Sequence, residues 1–249
     1  MDIREKILKK ELVIGTWLQT GDPTTAEIMA DCGWDFIAAD MEHTNMSETE
    51  FVSFARAIWG SSSPFARVES DDPLSIRKVL DLGAQGVVVP MVNTKEQAQR
   101  IVEAAKYAPQ GKRGFAFIRA NKYGVDFDEY AKQANDKIAV IAMIETKEGV
   151  ENIDDILSVD GIDGVFVGPY DMSGSYGVVG QVDHELVQAA KMKILEACKR
   201  HNKVAGQHIV NVTKENLNEA IAQGYTFFAL GTDIVFLNNE CRRIRGLVG

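Results

Sequence analysis

No apolar run in the 249-residue chain is long enough to cross a bilayer, and the opening MDIREKILKKEL puts charges where a secretory leader needs an apolar core. Those two absences predict a cytoplasmic protein. Cysteine is scarce: Cys32, Cys198 and Cys241 are far apart, with neither the paired spacing of a zinc site nor a disulfide framework. Idle thiols in a reducing compartment are the plain reading. Blocks of lysine and arginine are missing too, and the net charge of -9 argues against general attraction to nucleic acid or an anionic membrane. Any anionic ligand is therefore captured locally. There is no Walker loop, GxGxxG, GxSxG or EF-hand loop, so nucleotide hydrolysis, classical dinucleotide binding and serine hydrolase chemistry have no local support. The composition, 45% hydrophobic and 25% charged, lacks the bias of disordered chains and is that of a folded protein.

What the chain does have is an alternation. LVIGTWL, DFIAAD, FARV, GVVVPM, IAVIAMIE, GVFVG, KVAGQHI and TFFALG read as strands of a parallel sheet covered on both faces, while PLSIRKVLDLG and KEQAQRIVEAAKY carry helical periodicity. Gly33, Gly83 and Gly224 punctuate helix ends. Eight βα units in a chain of about 250 residues are the size and count of a TIM (β/α)8 barrel, an α/β fold, and no composition break divides 1–249 into two domains. The irregular stretch 108–136 is too long for a plain connection and is expected to lie over one barrel mouth and to shape the acceptor pocket there.

A barrel of this type builds its active site where the strands end, so ionisable residues just past each run are the candidates. These are Asp40, Glu42 and His43 after the second strand, Arg67 and Glu69 at the third, Glu145 at the fifth and Asp171 after the sixth. Glu145 and Asp171 come from neighbouring strands and suit a hard divalent cation, Mg or Mn before Co or Zn. Each alone equally suits a helix cap. His43 with Asp40 reads as a base and its orienting carboxylate. His184, His201 and His208 read as structural or solvated. Arg67 needs an anionic partner, whether a ligand or one of Asp40, Glu42 and Glu69. Gly168 and Pro169 leave backbone N–H groups near a helix start, which suits a small carboxylate.

In order and spacing, GTWLQTGDPTTAEIMADCGWDFIAADMEH, LDLGAQGVVVPMVNTKEQAQRIVEAAKYAPQGKRGF and ENIDDILSVDGIDGVFVGPYDMSGSYG resemble the HpcH/HpaI family of class II, metal-dependent pyruvate aldolases. The resemblance implies a TIM barrel assembled as a homo-oligomer, a hexamer of dimers that exchange the C-terminal helix. It implies that Glu145 and Asp171 hold the metal, that His43 and Asp40 form the acid/base dyad, and that Arg67 steadies the pyruvate oxygen. Backbone around Gly168, Pro169 and Tyr170 would meet the pyruvate carboxylate. The implied reaction is reversible aldol cleavage of a 4-hydroxy-2-oxo acid through a metal-stabilised enolate, and FIRANKYG is similar to members associated with sugar acids. The chain departs from the pattern at Met143, where many members carry Gln, and at Tyr170, where a small residue is common; Glu42 has no assigned role. Rival readings are a barrel lyase for an acyl-CoA thioester or phosphoenolpyruvate, with Lys112, Arg113 and Arg119 meeting the larger anion, and a non-catalytic keto-acid-binding barrel. A Schiff-base aldolase needs a desolvated lysine at a strand end. Lys95, Lys147 and Lys214 instead open helices.

Overall fold

In the computed structural model, which describes residues 2–248, the eight runs form parallel strands β1 (Val13–Leu18), β2 (Phe36–Asp40), β3 (Ser63–Arg67), β4 (Gly86–Val89), β5 (Ala139–Ile144), β6 (Gly164–Val167), β7 (Val204–Ile209) and β8 (Phe227–Thr232). Each pairs with the next and β8 returns to β1, closing the barrel that the sequence predicts. Strands β2, β5 and β8 are buried at every position, as a sheet with side chains on one face and helices on the other requires. Alternate residues point inward. Trp17, Phe36, Phe65, Met143, Phe166 and Phe227 fill the barrel this way, with Phe36 stacked on Phe227 at 4.7 Å and Trp17 edge-on to Phe166 at 5.8 Å.

One end of the barrel is plugged. The short helix Ile3–Leu8, capped by Asp2, sends Ile3 and Ile7 into the interior cluster. Arg4 forks onto Asp163 just before β6 at 2.8 to 3.1 Å, and Lys6 reaches Asp35 just before β2 at 2.7 Å. Both anchors precede strands, so the plug sits at the strands' N-terminal end and leaves the opposite mouth for chemistry.

Segment 108–136 belongs to that plugged end, which corrects the expectation that it shapes the acceptor pocket. It leaves helix Lys95–Ala105 and returns through helix Phe127–Lys137 into β5, so both its ends lie where strands begin. Arg113, whose side chain is fully buried, pairs with Asp81 at 2.8 Å, and Arg119 donates to the carbonyls of Leu82 (3.0 Å) and Ala55 (3.2 Å). Those partners lie at or next to the ends of the helices that feed β3 and β4. Within one chain the segment therefore stays at the far end from the open mouth.

Close strand approach depends on glycine. A Cβ at Gly15 would stand 2.4 Å from both the Phe36 ring and the Phe36 carbonyl oxygen. Because a backbone atom cannot step aside, Gly15→Ala should destabilise the barrel by about 1–3 kcal/mol. Urea unfolding of the variant against the parent protein measures this.

Candidate active site

The inward alternation of the interior residues continues into the mouth. Ala38 on β2 is followed two residues on by Asp40, Phe65 on β3 by Arg67, and Met143 on β5 by Glu145. Strand register sets Asp40 directly opposite Arg67. The guanidinium meets the carboxylate through both oxygens, Nε to Oδ1 at 2.9 Å and Nη2 to Oδ2 at 2.7 Å. Arg67 also lies over the Trp17 ring, with Cζ 4.8 Å from its centroid. Burial opposes charge on Asp40, yet Arg67 and a hydrogen bond from Gln19 hold its carboxyl below the usual range.

His43 is placed differently from the dyad geometry read in the sequence. Its backbone N–H, at 3.3 Å, is what touches Asp40, while its ring Nε2 is 3.5 Å from Glu42 Oε2 and its side chain is 57% exposed. Both Asp40 oxygens are engaged by Arg67, and the carboxylate beside the imidazole is Glu42. Glu42 also sits 3.3 Å from Arg67 Nη1. Burial raises the Glu42 carboxyl, with Asp40 and Asp171 adding to the rise and Arg67 and His43 opposing it.

Glu145 is 3% exposed and follows directly on β5, facing the mouth. Its Oε1 accepts the N–H of Met91, a non-glycine residue in the left-handed region at φ 55°, at 2.7 Å. Burial pushes its carboxyl up to about 7; the Met91 N–H opposes this, and the charges of Glu42 and Asp171 reinforce it. A Cβ at Gly168 would fall 2.6 Å from Glu145 Oε2, so glycine at this position keeps that oxygen accessible. Asp171 is exposed in the first turn of helix Pro169–Ser175, which Gly168, Pro169 and Tyr170 open. Met143 packs below Glu145 in the barrel interior. Glu69 is not brought to this group: it is exposed and lines a separate depression of about 330 Å³ with Ser47, Thr49 and Lys78.

Three participants escaped the sequence reading. His208 follows the inward residues Val204 and Gly206 on β7, so strand parity alone marks it as facing the barrel rather than solvent. Its ring stands edge-on to Trp17 at 6.0 Å, and Nε2 lies 3.2 Å from the Gly231 carbonyl. Gln19 donates to Asp40 Oδ2 at 2.9 Å. Met91 carried no sequence signal, because its role belongs to its backbone.

Among the described residues no lysine with Schiff-base character faces the mouth. Lys106 is the conspicuous buried one, pushed down to about 8 by burial, but its Nζ donates to the carbonyls of Asn135 (2.7 Å) and Ile138 (2.6 Å) at the plugged end. Lys147 and Lys214 are exposed, and Lys95 is partly so. Among the described residues no three His, Cys, Asp or Glu side chains are gathered into a ready-made metal cluster.

An eight-stranded parallel barrel with carboxylates, a guanidinium and an imidazole converging on its open end has the architecture of a TIM-barrel enzyme. The chain belongs to the HpcH/HpaI aldolase/citrate lyase family, whose model matches residues 13–239. It is 35% identical over 237 residues to the 5-keto-4-deoxy-D-glucarate aldolase of Enterobacter sp. (strain 638), covering 94% of this chain and 91% of that one. It is also 35% identical over 244 residues to the hydroxypyruvate/pyruvate aldolase of Roseobacter denitrificans, covering 97% and 94%. Among solved structures it is similar to a HpcH/HpaI aldolase/citrate lyase family protein from Burkholderia cenocepacia J2315, with TM-score 0.93, 29% identity and coverage of 99% and 98%.

Burial pushes the His208 imidazole down to about 4, with the Gly231 carbonyl and Asp40 opposing and Arg67 reinforcing. The unfolded chain takes up this proton near pH 6.5 and the folded chain does not, so stability should fall as pH drops from about 6.5 to about 4, by up to about 1.4 kcal/mol per unit. In His208→Leu that part of the pH dependence should vanish, as urea unfolding across the range would show.

Proposed function

We propose that the chain is a class II pyruvate aldolase that reversibly cleaves a 4-hydroxy-2-oxo acid, of the 2-keto-3-deoxy sugar-acid kind, to pyruvate and an aldehyde. The observation that carries this reading is the charge imbalance at the mouth. Asp40 occupies Arg67, while Glu42 and Asp171 lie close enough to Glu145 for their charges to raise its carboxyl, and Asp171 likewise raises that of Glu42. Such a cluster calls for a cation. Glu145 Oε2, beside the space that Gly168 leaves, and Asp171 fit a divalent ion with open positions for substrate; all-oxygen donors favour Mg or Mn over Co or Zn. When bound, such an ion supplies Lewis-acid polarisation of the keto acid.

The remaining work falls to side chains. Arg67 offers its positive charge to the C2 oxygen as the C3–C4 bond breaks and its electron pair moves toward that oxygen. His43, exposed to the mouth, takes the 4-hydroxyl proton during cleavage and returns it during condensation, with Glu42 rather than Asp40 beside its ring. The turn at Gly168, Pro169 and Tyr170 receives the pyruvate carboxylate. The names of the relatives, aldolases of a deoxy keto sugar acid and of pyruvate, support this substrate class.

The rival reading with a large anion loses its basic residues: Lys112 pairs with Glu103, and Arg113 and Arg119 are engaged at the plugged end. We assign the enzyme to the cytoplasm; no helix among the described residues is long and apolar enough to cross a membrane. We also assign it a homo-oligomeric state, a hexamer by family resemblance. Helix Asp233–Arg245 supports this, since Ile234, Leu237 and Ile244 are all exposed on a single chain.

Glu145→Gln and Asp171→Asn should each lower metal-stimulated pyruvate release by about a hundredfold or more and weaken calorimetric Mn binding. Turnover unchanged in both variants would remove them from the mechanism. Borohydride reduction in the presence of pyruvate should leave the protein mass unchanged, whereas a covalent adduct would establish a Schiff base.

A further inference from the structure

Gln19 continues the inward alternation of Val13, Gly15 and Trp17 one step past the end of β1, and its amide meets the Asp40 oxygen that the N–H groups of Glu42 and His43 do not touch. Five donors converge on the Asp40 carboxylate. Oδ1 takes Arg67 Nε and the N–H groups of Glu42 (3.2 Å) and His43 (3.3 Å); Oδ2 takes Arg67 Nη2 and, at 2.9 Å, Gln19 Nε2. Arg67's fork matches a single carboxylate plane. The two backbone donors are long and act on one oxygen, so Gln19 is the donor besides Arg67 itself that holds the other oxygen in that plane.

Gln19 has its own anchor. Asp233, 4% exposed at the start of the C-terminal helix, accepts the N–H groups of Gln19 and Thr20 at 2.9 Å each and the Thr20 hydroxyl at 2.7 Å. It also accepts the N–H of Ile234, in its own helix, at 2.9 Å. A carboxylate with four donors and almost no contact with water ties the end of β1 to the helix that follows β8.

We propose that Gln19 is a positioning residue for Arg67, acting through Asp40, and that Asp233 holds Gln19 in place to do so. The relay keeps Nη1 of the guanidinium turned toward the mouth, 3.3 Å from Glu42, where a substrate oxygen can reach it. This inference rests on the reading of Arg67 as the group that meets the keto-acid oxygen.

Gln19→Met keeps the length of the side chain and removes the amide, whose Nε2 is the atom that meets Asp40. Its kcat for cleavage should fall about tenfold, because the interaction lost is one that strengthens as charge develops, while KM for the aldehyde in condensation stays within about twofold. The melting temperature should stay at the parent value, and a crystal structure should show the guanidinium rotated off the Asp40 plane. Asp233→Asn, which sets an amide against the N–H groups it should accept, should give the same kcat loss. Arg67→Lys is measured alongside. If Arg67→Lys is impaired while Gln19→Met keeps full kcat, the relay is overturned and the aldolase reading stands. If Arg67→Lys is not impaired, both readings are overturned.

Discussion

The carboxylate of Asp40 has no contact with water, and it stays charged there because Arg67 lies opposite it in the strand register. A buried ion pair of this kind is a poor source of stability: the cost of desolvating both groups largely offsets their attraction, while removing one partner costs about 3–5 kcal/mol. What the pair contributes is orientation. With two of its nitrogens committed to Asp40 and its face against Trp17, the guanidinium has one edge left to offer. The placement of Glu42, the separation of His43 from Asp40 and the direction in which Arg67 can meet an anion all follow from that commitment.

Strand alternation explains why so much of this was legible in sequence. A closed parallel barrel leaves each strand one inward parity, and the last inward residue of a strand must face either the plug or the mouth. Apolar runs that end in Asp40, Arg67 and Glu145 therefore point to the fold and to the charged residues that reach its open mouth. Pairing was not legible. Asp40 and His43, three residues apart, read as partners in sequence, but register across two strands decides contacts, and it sets Asp40 against Arg67. His208 was within reach of the same parity argument, two residues beyond Gly206. The arginines and aromatics of segment 108–136 resemble a binding surface in sequence, whereas Arg113 and Arg119 are spent on Asp81 and on carbonyls at helix ends.

Glu145 is held by a different device, a backbone N–H delivered by a residue in an unfavourable conformation. Met91 adopts φ 55°, which costs a non-glycine residue on the order of 1 kcal/mol, and its side chain is 47% exposed, so packing of that side chain does not repay the cost. The hydrogen bond to Oε1 does. It fixes one oxygen of a carboxylate that burial and two neighbouring acids push toward neutrality, and it leaves the second oxygen beside the gap at Gly168.

Those two arrangements give the mouth complementary deficits. On the β2–β3 side the arginine is tied down and turns one edge, 3.3 Å from Glu42, toward the mouth; on the β5–β6 side the charges of Asp171 and of Glu42 bear on the buried carboxyl of Glu145. A molecule carrying a carboxylate and a neighbouring keto oxygen, together with a divalent ion, satisfies both at once: the ion relieves the acids, and the keto oxygen reaches the free edge of Arg67. Neither half accounts for the other alone. An anion without the ion would meet three repelling carboxylates, and the ion without the anion would leave the guanidinium edge facing only Glu42, so binding of the pair should be mutually reinforcing, each raising the other's affinity by the same factor.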